Sequence, residues 1–199
     1  MSYLQLDEQQ RGLTRSQIVN SVVIAVTAVF LMGLGVLMRD AATAATVPYE
    51  NEQSGIRARI PANWLVTTNE GDIVVQAEDP QAIPFKTLLR VSLVAVGEEA
   101  TPRNVVDSLT LQRAGRLSTY RVLSIEPLIL GEDEALQMDY AFVQADNNPF
   151  LSAVPQVIQG RDVVVIRGNQ AIVITYLEER SRFAEHEILF DNFLESLEF

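Results

Sequence analysis

Apolar residues recur in different patterns along the chain, and each pattern predicts a different kind of element. Residues 16–38 carry no charge, and residues 18–38 (IVNSVVIAVTAVFLMGLGVLM) are apolar apart from Asn20, Ser21 and Thr27. At roughly 1.5 Å per residue such a helix covers about 30 Å, the hydrocarbon thickness of a bilayer. The pattern predicts one transmembrane helix over 18–38, behind a short N-terminal segment at 1–17. A cleaved signal peptide is the rival reading, with Ala42-Thr43-Ala44 as a small-residue cleavage pattern. Signal-peptide apolar regions run about 7–15 residues, however, and this one is longer and is closed by Arg39-Asp40. Residues 39–49 read as a linker, in which 41–49 (AATAATVPY) is small and uncharged, with Pro48 holding its predecessor extended. Fully stretched, that segment reaches about 30 Å, which keeps a domain at 50–199 close to the membrane.

Beyond the linker the period of the pattern falls to two. Ile56, Ala58 and Ile60 alternate with Arg57 and Arg59, as a half-buried strand requires. Residues 64–68 and 72–77 read as two more strands of a meander around the turn Asn69-Glu70-Gly71. Residues 87–96 (TLLRVSLVAV) are apolar on both faces, which predicts a central strand covered by two layers. Thr101-Pro102 is an N-cap followed by proline at the first helical position. The helix it opens runs to about 117, with Val105, Val106, Leu109 and Leu117 along one face and Arg103, Asp107 and Arg113 pointing away. Strand material follows at 121–127, 128–130, 135–144, 156–167 and 171–177, with Gly168-Asn169 as a two-residue hairpin turn. A last helix at 181–197 places Phe183, His186, Phe190, Phe193, Leu194 and Leu197 at helical spacing. The order predicts an α+β fold, an antiparallel sheet flanked by helices, behind one N-terminal transmembrane helix.

Charge narrows the partners. The 199 residues carry 15 Lys+Arg against 26 Asp+Glu, a net charge of -11. The three arginines and three acids within residues 1–40 cancel, so the excess belongs to the rest of the chain. A domain so acidic repels phosphate backbones and anionic headgroups, and nucleic acid is not expected as a partner. Arg11 and Arg15 precede the apolar run and Arg39 follows it. That bias predicts a cytoplasmic N-terminus and an extracytoplasmic C-terminal domain, a single-pass arrangement in the cell membrane.

Reactive chemistry has few places to sit. With no cysteine and one histidine, thiol nucleophiles and Cys/His zinc sites are excluded. His186 is flanked by Glu185 and Glu187, but adjacent helical residues diverge by about 100°, so Arg182 or Phe190 are its neighbours and a position at the core margin is expected. Glu132-Asp133-Glu134 and Asp146-Asn147-Asn148 lack the alternating spacing that wraps a calcium ion and read as solvated turns. Ser92, Ser108 and Ser152 have no G-x-S-x-G setting, and no nucleotide-binding glycine motif occurs. No catalytic, cofactor-binding or metal-binding residue is assigned. Arg57, Arg59, Arg90 and Arg103 are of more interest, because arginine forks favour protein interfaces and Lys86 is the chain's one lysine. Outward-facing strand arginines paired with nearby acids are the plainer reading. The loop 146–155 (DNNPFLSAVP) carries Phe150, Leu151 and Val154 between two prolines, an apolar tip suited to docking or to lying under a sheet edge. The candidate partner contacts are therefore Arg57, Arg59, Phe150 and Leu151.

Tyr49 followed by Gly55-Ile56-Arg57-Ala58-Arg59-Ile60-Pro61-Ala62-Asn63-Trp64 resembles the opening strand, proline and tryptophan of the PsbP family and its Mog-type and DcrB-like relatives. A strand ending near Val96, the helix after it, the strand entry at 131–138 and the closing FLESLEF at 193–199 continue the likeness over residues 49–199. The resemblance is one of order and pattern. It implies an α-β-α sandwich and a non-catalytic role as an extrinsic or accessory subunit of a larger assembly; plant and cyanobacterial members serve photosystem II. No residue here maps onto a manganese, calcium or chloride site. The function expected is that of a membrane-anchored, non-catalytic accessory or assembly subunit of a photosynthetic or respiratory membrane complex. The alternative is an extracytoplasmic protein that holds a small apolar or anionic ligand between sheet and helix.

Overall fold

The computed structural model of the chain describes residues 15–43, 45–145 and 154–199. The chain divides into two units, Met1–Ala45 and Thr46–Phe199. The first holds helix α1, Arg15–Thr43. Its side chains are described at Ser16 and over 19–34, where they are exposed. Among the described residues no helix is long and apolar enough to cross a membrane.

The second unit has the antiparallel α+β architecture. Seven strands form one sheet: β3 Leu65–Glu70, β4 Ile73–Glu78, β5 Leu88–Ala95, β6 Ser118–Leu130, β7 Asp133–Gln144, β8 Gln156–Arg167 and β9 Gln170–Glu179. Their order across the sheet is β3-β4-β5-β9-β8-β7-β6, and every neighbouring pair is antiparallel. Helix α2 (Pro102–Ala114) carries the chain from β5 to the far edge, and α3 (Phe183–Glu195) follows β9. Two further strands, β1 Thr46–Asn51 and β2 Ile56–Pro61, make a separate hairpin.

Three strands differ from the sequence reading. Strand β1 takes up residues 46–49, which that reading gave to the linker, and the contact boundary lies between Ala45 and Thr46. Strand β2 leaves the meander for the hairpin: its apolar side (Ile56, Ala58, Ile60) packs in the α3-side core, and Arg57 exchanges backbone hydrogen bonds with Glu198 at 2.9 Å. Alternation alone specifies a half-buried strand and is silent on its partner. The segments 121–127 and 128–130 are one strand, β6. Pro127 sits inside it because β6 is an edge strand and needs no donor on its outer side.

Each sheet face has its own core. Odd-parity residues of β8 and even-parity residues of β9, such as Val163, Val165, Ile172, Ile174 and Tyr176, meet Phe183, Phe190 and Phe193 of α3 together with the β2 side chains. The opposite parity, including Ile158, Val164, Ala171 and Val173, meets Val105 and Val106 of α2. α2 is fixed at its start by a capping box in which Thr101 and Asn104 satisfy each other's backbone N–H groups. The two faces are not equally covered. Seven strands span roughly 30 Å and one helix shields about 10 Å of that. α3 shares its face with the β1–β2 hairpin, whereas α2 packs chiefly on β6, β7 and β8.

Candidate functional site

The uncovered half of the α2 face is a groove of about 490 Å³. One wall is α2, through Leu109, Gln112 and Arg113, with Arg116 and Leu117 beyond its end; the floor is β5 and β9, through Arg90, Ser92, Val94, Val173, Thr175 and Leu177. Sheet register explains why polar groups collect there. Gln76 pairs with Arg90, Arg90 with Thr175, Thr175 with Asp162, and Asp162 with Met138, so a row crossing β4, β5, β9, β8 and β7 points toward α2.

Asp162 is fully buried in that row. It accepts hydrogen bonds from Thr175 Oγ1 at 2.8 Å and Tyr140 Oη at 3.4 Å, and it forms an ion pair with Arg113. Burial pulls the Arg113 guanidinium down, and the charges and hydrogen bond supplied by Asp162 and Tyr140 more than offset it, so Arg113 titrates above the ordinary arginine range. Its guanidinium lies 4.4 Å from the Tyr140 ring centroid, a cation–π contact. The Tyr140 phenol is held well above its usual range by burial and by the Asp162 charge. Arg90 differs: its Nε donates to Gln76 Oε1 at 2.7 Å, and Gln76 in turn donates to Glu78, which is shared with Lys86. Among the described residues no carboxylate forms an ion pair with Arg90. Burial lowers its affinity for a proton, and Arg113 pushes in the same direction.

Tyr140 keeps this geometry because its register partner is Gly160. A Cβ at Gly160 would meet the Tyr140 ring and lie 2.6 Å from its hydroxyl oxygen. Gly160→Ala should therefore destabilise the domain by about 2–3 kcal/mol, since a packed aromatic ring must shift to admit one methyl group. Urea unfolding of the two proteins checks this, and a loss below about 0.5 kcal/mol would show that Tyr140 moves freely.

On the opposite face Glu178 is also fully buried. It bonds Thr87 Oγ1, accepts from its neighbour's backbone N–H at 2.9 Å, and holds Arg182 Nη2 and His186 Nδ1 at 3.0 Å each. His186 thus meets the end of β9 from the first turns of α3. Among the described residues no hydroxyl bonds His186 directly; the Thr87 hydroxyl and the imidazole share Glu178 Oε2. Arg161 closes a third cluster with Asp139 at 2.7 Å and with Glu187.

The other residues singled out in the sequence stand apart from the groove. Arg57 is exposed on β2 and pairs with Glu50 at 2.7 Å, and the Arg59 side chain is exposed on the same side of β2, its backbone N–H donating to Ser196 Oγ. Arg103 pairs with Asp107 one turn along α2. Phe150, Leu151, Ser152 and the run 146–148 lie outside the described residues. Asp133 is bonded to Arg167 at 2.7 Å, and among the described residues no cluster of metal-ligand groups forms. Asp162 and Glu178 went unassigned in the sequence, although each is an acid on a strand parity that is mostly apolar or aromatic.

No protein-family model matches the chain, and no curated protein matches it in sequence. Solved structures do match. The solution structure of cyanobacterial PsbP (CyanoP) from Synechocystis sp. PCC 6803 aligns with a TM-score of 0.58 at 14% identity, over 78% of this chain and 92% of that one. PA94 of Pseudomonas aeruginosa, described as a protein of unknown function and putative regulator, aligns at 0.53 with 14% identity over 78% and 98%. The Saccharomyces cerevisiae Ran-binding protein Mog1p aligns at 0.52 with 9% identity over 77% and 95%. At these identities the likeness is one of fold, and the fold of this chain is PsbP/Mog1-like.

Proposed function

We propose that the chain is a single-pass, membrane-anchored accessory or assembly subunit of a membrane protein complex, photosynthetic or respiratory, and that it acts through protein contacts rather than catalysis. The observation that carries this reading is the join of a PsbP/Mog1-like domain to an uncharged run at 18–38, with the domain's first strand starting at Thr46. Such a run is stable where water is excluded, and it leaves the domain few residues of slack. The arginine bias around the run favours a cytoplasmic N-terminus and an extracytoplasmic domain. Arg57 and Arg59 on the exposed side of β2, with Phe150 and Leu151, are the proposed contacts.

Mild detergent extraction of native membranes, followed by purification through a C-terminal tag on a flexible spacer, tests the reading. Membrane-complex subunits at stoichiometric yield are the expected result, and an Arg57→Glu/Arg59→Glu variant should lose them while melting within a few degrees of the parent. Recovery of the protein alone, as monomer or homodimer, would overturn it.

A further inference from the structure

The groove beside α2 holds one half-buried guanidinium, that of Arg90, which has no ion-pair partner among the described residues. Arg113 is neutralised by Asp162, and Arg116, exposed beyond the end of α2, shares the lining with Glu70 and Asp72. Arg90 on the floor remains. Its Nε is taken by Gln76, and among the described residues its two terminal nitrogens make no hydrogen bond. That edge, Nη1 with Nη2, is the one that receives both oxygens of a carboxylate in parallel hydrogen bonds. Beside it, Val94, Leu109, Leu117, Phe142, Val173 and Leu177 give the groove an apolar lining.

We propose that this groove is a binding site for a small amphipathic monocarboxylate, with its carboxylate on Arg90 and its hydrocarbon body along α2. The volume of about 490 Å³ falls within the range of small-molecule sites, about 300–1,000 Å³. Glu70 and Asp72 in the lining select for a single charge: a phosphate ester or dicarboxylate would bring further charge against them, whereas one carboxylate is matched by Arg90. Burial of an unmatched guanidinium is unfavourable, as the lowered pKa of Arg90 reflects, and an anion relieves it. The site is independent of the accessory role proposed above.

The test uses the full chain in lipid nanodiscs, titrated calorimetrically with octanoate and with phenylacetate, empty nanodiscs being subtracted. At least one acid should bind saturably at one per chain with a Kd below about 1 mM, and its neutral amide should bind at least about tenfold more weakly. Arg90→Gln should weaken the acid by a similar factor. Ser92→Asp, which places a carboxylate on the same floor, should abolish binding while leaving the protein folded, so the comparison stands even if Arg90→Gln unfolds. Failure of both acids to saturate, equal binding of acid and amide, or undiminished binding in Ser92→Asp would each overturn the proposal.

Discussion

Arg113→Ala is expected to cost the domain about 3–5 kcal/mol, the penalty for stranding a buried charge. Asp162 has no exposed surface, and without Arg113 its carboxylate keeps, among the described residues, two hydroxyl donors, Thr175 and Tyr140. Tyr140 loses its cation–π partner in the same step. Equilibrium urea unfolding near pH 7 measures the loss. The sharper test is Arg113→Met combined with Asp162→Leu, which removes both charges and keeps volume close to the original. The double variant should recover most of the stability, because a buried pair replaced by apolar groups is often neutral or better. A loss below about 1 kcal/mol in Arg113→Ala would mean that water from the groove already solvates Asp162.

Phe190→Ala should cost about 3–5 kcal/mol on the opposite face. Phe190 is fully buried and stacks on Tyr176 with ring centroids 5.4 Å apart, so it joins α3 to the strand at the centre of the sheet. It shares its core with Ile56, Ala58 and Ile60, and loosening α3 therefore loosens the β1–β2 hairpin. Amide exchange should rise first in β2 and at the Arg57–Glu198 bridge, ahead of β8 and β9. Uniform protection with unchanged unfolding would show that α3 adds little to the core.

Apart from β1, whose residues 46–49 read as linker, the regular elements were legible in the sequence because each has a period and a terminator. Thr101-Pro102 announced α2, and Gly168, with φ of 58° at the turn between β8 and β9, announced that hairpin. Pairing was harder to read. Nothing in IRARIP distinguishes a strand that joins a meander from one that folds over α3's side of the sheet, and Pro127 mimicked a break because a proline excludes only one hydrogen bond. The groove was invisible for a similar reason: Gln76, Arg90, Thr175, Asp162 and Arg113 belong to five elements, and only register sets them side by side. Arg90 was noticed for its residue type; its solitude is a property of the folded sheet.

Strand order also dictates when folding can finish. β9 is the last strand to leave the ribosome, yet it lies between β5 and β8. A nascent chain that ends before Gln170 contains two three-stranded meanders, β3–β4–β5 and β6–β7–β8, with no hydrogen-bonded strand to unite them. Neither meander has a complete core, since Ile172, Ile174 and Tyr176 contribute to one face and Ala171 and Val173 to the other. Closure must await contacts between residues some eighty positions apart, such as Val91 with Ile174, and topologies of this kind fold slowly. The sheet therefore cannot lock until almost all of it has emerged from the ribosome.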